Sequence, residues 1–201
     1  RRPISDHGNR ELYGLPADAT VLCYLGQSRK ITPDVLDDWV WIVRAAGNAV
    51  LWIRADNDAA RANLAREALS RGLEPRRLVF VPSMSLRASD YIARYRFADM
   101  ALDTHPYGSH TTACDALWAG CPLVTLEGET FASRVAASLL RAAGMPELVA
   151  SSRDEFRRIA IEVANDPARR LALRDRLSIA RTASPLFDTQ RFARDLAAAL
   201  E

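Results

Sequence analysis

The chain has 201 residues, 49% of them hydrophobic, which is enough for one sizeable core and argues against a disordered chain. Its 27 basic and 25 acidic residues leave a formal charge of +2, a balance that argues against the clustered positive surface of a nucleic-acid binder. No segment is apolar and long enough to span a membrane, and Cys23, Cys114 and Cys121, odd in number and without metal-ligand spacing, read as small hydrophobes in a reducing, cytoplasmic setting.

The opening Arg1-Arg2-Pro3-Ile4-Ser5-Asp6 is not a signal peptide, and without an initiator Met the chain reads as a piece of something longer. Residues 1–20 carry little pattern and read as a linker or docking segment, with Leu12, Tyr13 and Leu15 to set against a domain. That domain is expected over residues 21–150. A buried-type strand at 21–25 gives way to Gly26-Gln27-Ser28-Arg29-Lys30. Thr32 then caps a helix with Pro33 at its first position and Asp34, Asp37 and Asp38 early on; Leu36, Trp39, Val40 and Val43 share one face, and Gly47 ends it. A strand at 50–53 leads to a helix at 58–71, with Leu64, Ala68 and Leu69 at core spacing and Gly72 as its stop.

A third strand at 78–81 ends at Pro82, and a short helix at 89–96 leads to a fourth strand at 100–102. After a loop come a small-residue helix at 111–119, stopped by Gly120, and a fifth strand at 123–126. A helix at 131–143, closed by Gly144, precedes a short sixth strand at 148–149. Residues 151–201 are purely helical, at 154–165, from 167 to about 179 and at 188–200, and are expected to pack on the same domain. Trp39, Trp41, Trp52 and Trp118 read as core, and Arg169, Arg170, Arg174 and Arg176 as a solvated helix face.

Strands alternating with helices predict an α/β fold, a Rossmann-like parallel sheet with helices on both faces and right-handed crossovers. Ligands of such sheets bind beyond the carboxyl ends of the strands. Segments 27–30, 83–91, 105–112 and 127–130 all follow strands, so they meet at one edge. The loop after the fourth strand holds Pro106 and Gly108 and puts Ser109, His110, Thr111 and Thr112 at a helix N-terminus. Free N–H groups and the positive end of the helix dipole suit a phosphate there. Asp115, one turn further in, offers the two acceptor oxygens that a ribose diol needs. The same residues also suit an ordinary helix start, with Ser109 or Thr111 as cap and Asp115 as a surface acid. Local chemistry leaves both readings open, and the convergence of loops favours the nucleotide.

Lys30 is the only lysine of the chain. In so Arg-biased a sequence, a lysine at a strand's exit suggests a place for a compact point charge, such as one meeting a diphosphate. Gln27 can bond phosphate or sugar, or satisfy its own loop. There is no P-loop and no dinucleotide fingerprint, since Gly26 stands alone after the first strand; this weighs against an ATPase or a dehydrogenase. His7, His105 and His110 lack metal-site spacing, and Ser133 and Ser138 lack the context of a nucleophile.

At these residues the chain resembles the carboxyl-terminal catalytic half of the O-linked N-acetylglucosamine transferase and SPINDLY family. The segments that carry the likeness are Gln27-Ser-Arg-Lys-Ile-Thr-Pro33, Ser109-His-Thr-Thr-Ala-Cys-Asp115, Ala116-Leu-Trp-Ala-Gly-Cys-Pro122, Gly128-Glu-Thr-Phe-Ala-Ser-Arg-Val-Ala-Ala-Ser138 and Ser184-Pro-Leu-Phe187, and the likeness covers nearly everything from Val21. It implies the nucleotide-sugar-binding domain of a two-domain GT-B glycosyltransferase that transfers N-acetylglucosamine from its UDP donor to Ser or Thr of a polypeptide. Lys30 would contact the donor diphosphate with Gln27 beside it, the backbone at His110, Thr111 and Thr112 would hold the phosphates, and Asp115 the ribose. No metal or other cofactor is implied. An acceptor-side domain and tetratricopeptide repeats would precede this region. The chain departs from the family at Tyr91, which stands in place of a uracil-packing histidine, and at Tyr107, near the donor sugar, which leaves the sugar open. UDP-glucose or GDP-fucose as donor, or a non-catalytic nucleotide-sugar-binding module, remain as alternatives.

Overall fold

The computed structural model of the chain describes residues 3–6, 8–82 and 87–200. Six strands, β1 (Thr20–Tyr24), β2 (Ala49–Ile53), β3 (Leu78–Phe80), β4 (Met100–Leu102), β5 (Leu123–Leu126) and β6 (Val149–Ala150), form a sheet in the order β3-β2-β1-β4-β5-β6. Every pairing is parallel, with Val21 against Val50, Leu22 against Met100 and Ala101 against Leu123. The central strands are continuous apolar runs because both of their faces are covered; all five residues of β2 are buried. From β1 the chain moves outward to β2 and β3, then returns to build β4, β5 and β6 on the other side. Crossovers of the hand usual for parallel sheets then put helices on opposite faces, and the order reverses between β1 and β4.

The helices are α1 (Pro33–Ala45), α2 (Asp58–Ser70), α3 (Ala88–Ala93), α4 (Thr111–Trp118), α5 (Phe131–Ala142), α6 (Arg153–Asn165), α7 (Pro167–Ala183) and α8 (Thr189–Leu200). Side chains of Thr32, Asn57, Thr130, Ser152 and Asp166 accept a first-turn amide of α1, α2, α5, α6 and α7 in turn. Observed and expected boundaries agree to about a residue, with two exceptions. Helix α3 is shorter than residues 89–96, because the chain tightens into a 3-10 turn at Arg94–Phe97. Helix α7 runs past residue 179, because Leu173, Leu177 and Ala180 extend its buried stripe toward Pro185.

Several side-chain expectations need correction. Trp41 is 59% exposed and Trp118 only half-buried, so the core tryptophans are Trp39 and Trp52. Two residues on from Trp39, Trp41 is turned about 200° around α1 and faces away from the sheet. Leu69 is exposed while Leu64 and Ala68 are buried. The arginines of α7 do not simply line a solvated face. Arg170 donates to the carbonyls of Val163 and Ala164, Arg174 to that of Ala98, and Arg176 to Gly144 and the carboxylate of Glu147. Within residues 1–20, Tyr13 and Leu15 are buried, with Tyr13 tilted on Trp52 at 5.2 Å, whereas Leu12 is exposed. Helices α6 and α7 bury apolar faces, whereas α8 buries none of its residues. His7 and the loop residues Ser83 to Leu86 lie outside the described residues. No helix of the described residues is long and apolar enough to cross a membrane.

Candidate functional site

The exits of β1, β4 and β5 lie at one edge, and Asp103 at the end of β4 ties its own loop to β5. Its carboxylate is buried and accepts from the amides of Thr104 and Ser109, both at 2.8 Å, and from Thr125 Oγ1 of β5 at 2.7 Å. Burial pushes this carboxyl's pKa up, against the pull of those donors. Trp39 Nε1 of α1 donates to the Asp103 carbonyl at 3.2 Å. The loop from Thr104 to His110 is folded over this anchor. Gly108 donates to Ala132 O at 3.1 Å, and a Cβ there would stand 3.2 Å from that carbonyl and from Asp103 Oδ2; this close approach explains the glycine.

Lys30 closes a 3-10 turn, Ser28–Lys30, after β1. Its Nζ donates to Gly108 O at 2.9 Å and lies 4.1 Å from the centroid of the Tyr107 ring. Among the described residues no carboxylate comes within 4.0 Å of it. Partial burial lowers its pKa, opposed by the charge of Asp103. Gln27, which begins the turn, is exposed and accepts from Arg29 Nε through Oε1 at 2.8 Å. Ser28 binds Asp56 Oδ2 through its amide at 2.8 Å and its hydroxyl at 2.7 Å, holding the β1 and β2 exits together.

Helix α4 starts without a side-chain cap, unlike α1, α2, α5, α6 and α7. His110 at its cap position makes no such bond; its Nε2 instead donates to Ala132 O at 3.3 Å. This decides against Ser109 or Thr111 as a cap. Thr111 is exposed and Thr112 half-buried at a helix end whose first amides lack a side-chain acceptor. Asp115, one turn in, is 7% exposed. With Trp118 it lines a cavity of about 700 Å³ closed by the α7–α8 connection, including Arg181, Ser184 and Phe187.

Beyond β2 and β3 a second crevice, about 380 Å³, is lined by Arg54, Phe80, Tyr91 and Arg94 among others. The Tyr91 hydroxyl donates to Leu25 O at 2.6 Å, and the Arg94 guanidinium covers one face of its ring at 4.1 Å. Arg94 is 4% exposed, and its Nε finds no hydrogen-bond partner among the described residues. The sequence reading named neither Arg94 nor the lysine–tyrosine contact. The one signal for the latter was the proximity of Tyr107 to the loop's glycine.

A different arrangement surrounds Asp38, read from the sequence as an early-helix acid. It is fully buried and accepts from His105 Nε2 at 2.9 Å, Arg153 Nε at 3.0 Å and Arg157 Nε at 2.6 Å. Burial pushes its pKa up, but these donors outweigh burial and hold it below the ordinary carboxylate value. His105 is thus committed to a tie between the loop, α1 and α6.

The model of Glycosyl transferase family 41 matches residues 6–196. The UDP-N-acetylglucosamine–peptide N-acetylglucosaminyltransferase of Caenorhabditis elegans is 38% identical over 94% of this chain and 16% of its own length. The probable enzyme of the same kind named SPINDLY, from Petunia hybrida, is 36% identical over 83% of this chain and 18% of its own. Among solved structures, a mutant O-GlcNAc transferase of Thermobaculum terrenum superposes with a TM-score of 0.82 at 32% identity, over 92% of this chain and 38% of that one. The chain therefore spans less than a fifth of the length of these two relatives.

Proposed function

The chain belongs to glycosyl transferase family 41, and on that footing we propose that it is the donor-binding domain of an inverting glycosyltransferase that moves N-acetylglucosamine from UDP-N-acetylglucosamine to Ser or Thr of polypeptides. The observation that carries the reading is the uncapped start of α4 beside a lysine ammonium with no carboxylate within 4.0 Å among the described residues. A diphosphate supplies the missing negative charge. Its oxygens take the first amides of α4, the hydroxyls of Thr111 and Thr112 and a free N–H of Lys30. Gln27 stands at the rim, Asp115 receives the ribose diol, and the base lies toward Tyr91 and Arg94.

In the transfer, the acceptor hydroxyl oxygen attacks the anomeric carbon from the face opposite the diphosphate. The bond from that carbon to the phosphate oxygen breaks, and its electron pair leaves with UDP. Charge grows on the departing oxygens, where Lys30 and the α4 dipole are already aimed. In this reading they meet the charge without a metal. The acceptor wall, the base that takes the hydroxyl proton and any tetratricopeptide repeats belong to the remainder of a longer, cytoplasmic protein.

Calorimetry of these 201 residues with UDP and GDP, together with a labelled-donor transfer assay, tests this. UDP is expected to bind, GDP to bind more weakly, and no sugar to move, because a cleft with one wall loses its effective molarity. Robust transfer to peptide by the chain alone, or no UDP binding at millimolar ligand in a folded sample, refutes the reading. Tighter binding of GDP redirects the donor.

A further inference from the structure

Two uncharged groups hold the Lys30 ammonium, and we propose that one of them, Tyr107, is a positioning residue that aims this ammonium at the donor diphosphate. The proposal rests on the donor-site reading above. A lysine side chain is a long, flexible stem whose freedom opposes any fixed placement. Electrostatic stabilisation of a leaving group works best when the charge stands in place beforehand. A carboxylate could order the ammonium but would also cancel its charge. The Gly108 carbonyl, 2.9 Å from Nζ, and the face of the Tyr107 ring, 4.1 Å away, order it without adding a negative charge.

The Tyr107 ring is itself fixed. It stacks on the His110 ring at 5.3 Å and 18°, and His110 meets the edge of Phe131 at 6.0 Å and 84°. The Tyr107 carbonyl accepts from Thr104 Oγ1 at 2.8 Å. His110 directly precedes the amides of Thr111 and Thr112. One ring stack therefore sets the ammonium and the helix end relative to each other. Burial does not explain the stack, since Tyr107 is 51% exposed and Phe131 82%. An aromatic side chain so open to water adds little to a core, and its loss should leave the fold standing.

Because Lys30 is the only lysine, a lysine-labelled sample of the intact chain gives one lysine side-chain NMR signal. Its ε-methylene protons are expected to be shifted upfield by the ring in the wild type and in Tyr107→Phe, and to move to the position of a free lysine in Tyr107→Leu. By calorimetry Tyr107→Leu should weaken UDP binding about two- to fivefold, the worth of a cation–π contact at an exposed site. The same substitution should cost nothing further in a Lys30→Ala background, because a residue that acts through Lys30 then has nothing to act on. An unchanged lysine signal in Tyr107→Leu overturns the proposal, as do UDP losses that simply add in the double variant. If the wild type binds no UDP, the donor reading falls, while the lysine signal still reports separately whether Tyr107 orders Lys30.

Discussion

His105 and Gly108 stand three residues apart on the loop after β4, and each receives a charged side chain, with opposite outcomes. At His105 the buried Asp38 is surrounded by an imidazole and two guanidiniums, and its negative charge is fully answered inside the protein. At Gly108 the Lys30 ammonium meets a carbonyl and a ring face, and its charge remains available. A buried charge answered by the protein acts as a tie between elements, and removing one partner strands the others. A charge held in place but left unanswered gains little for the fold and marks where a ligand of the opposite sign would go. One loop thus carries a structural half and a binding half.

Lys30→Ala should separate the two halves of the loop most clearly. In the full-length enzyme it should lower transfer on the order of a hundredfold, about 3 kcal/mol, while the urea midpoint of the domain stays where it was. Near-normal turnover would remove Lys30 from the chemistry. Asp38→Ala should do the reverse, lowering unfolding free energy by roughly 2–3 kcal/mol with much less effect on UDP affinity. The pH dependence has a definite sign. A carboxyl whose folded pKa is lowered contributes stability above its unfolded value near 4, and that stability is lost as pH falls through the folded value. Acid unfolding below about pH 4 should therefore be shallower in Asp38→Ala, and identical acid curves for the two proteins would erase the distinction between the halves. Of these three replacements the smallest effect is expected at Asp115, where replacement by Ala should weaken UDP by about 2 kcal/mol and 2′,3′-dideoxy-UDP far less. Equal losses for both ligands would return Asp115 to a structural role.

The alternation of strands and helices, the start of α4 at Thr111 and the singular Lys30 at a strand's exit are all legible along the chain. Those features are local. Apolar spacing, Thr32 before Pro33 and glycines after helices act within a few residues, so a linear reading recovers them. The family likeness was legible for the same reason, because Ser109 to Asp115 is one uninterrupted run. Which charges are spent emerges only when distant segments pack. Asp38 looked like an acid placed for the helix dipole until Arg153 and Arg157 were brought to it from more than 110 positions away. Arg170 and Arg174 looked solvated until the carbonyls of α6 and of Ala98 met them. Tyr107 lies 77 positions from Lys30, and neither residue type predicts the other. A charge's partners are set by distance in space, which falls out of the packing of α1, α6 and the β4 loop around the sheet, and no periodicity in the chain encodes it.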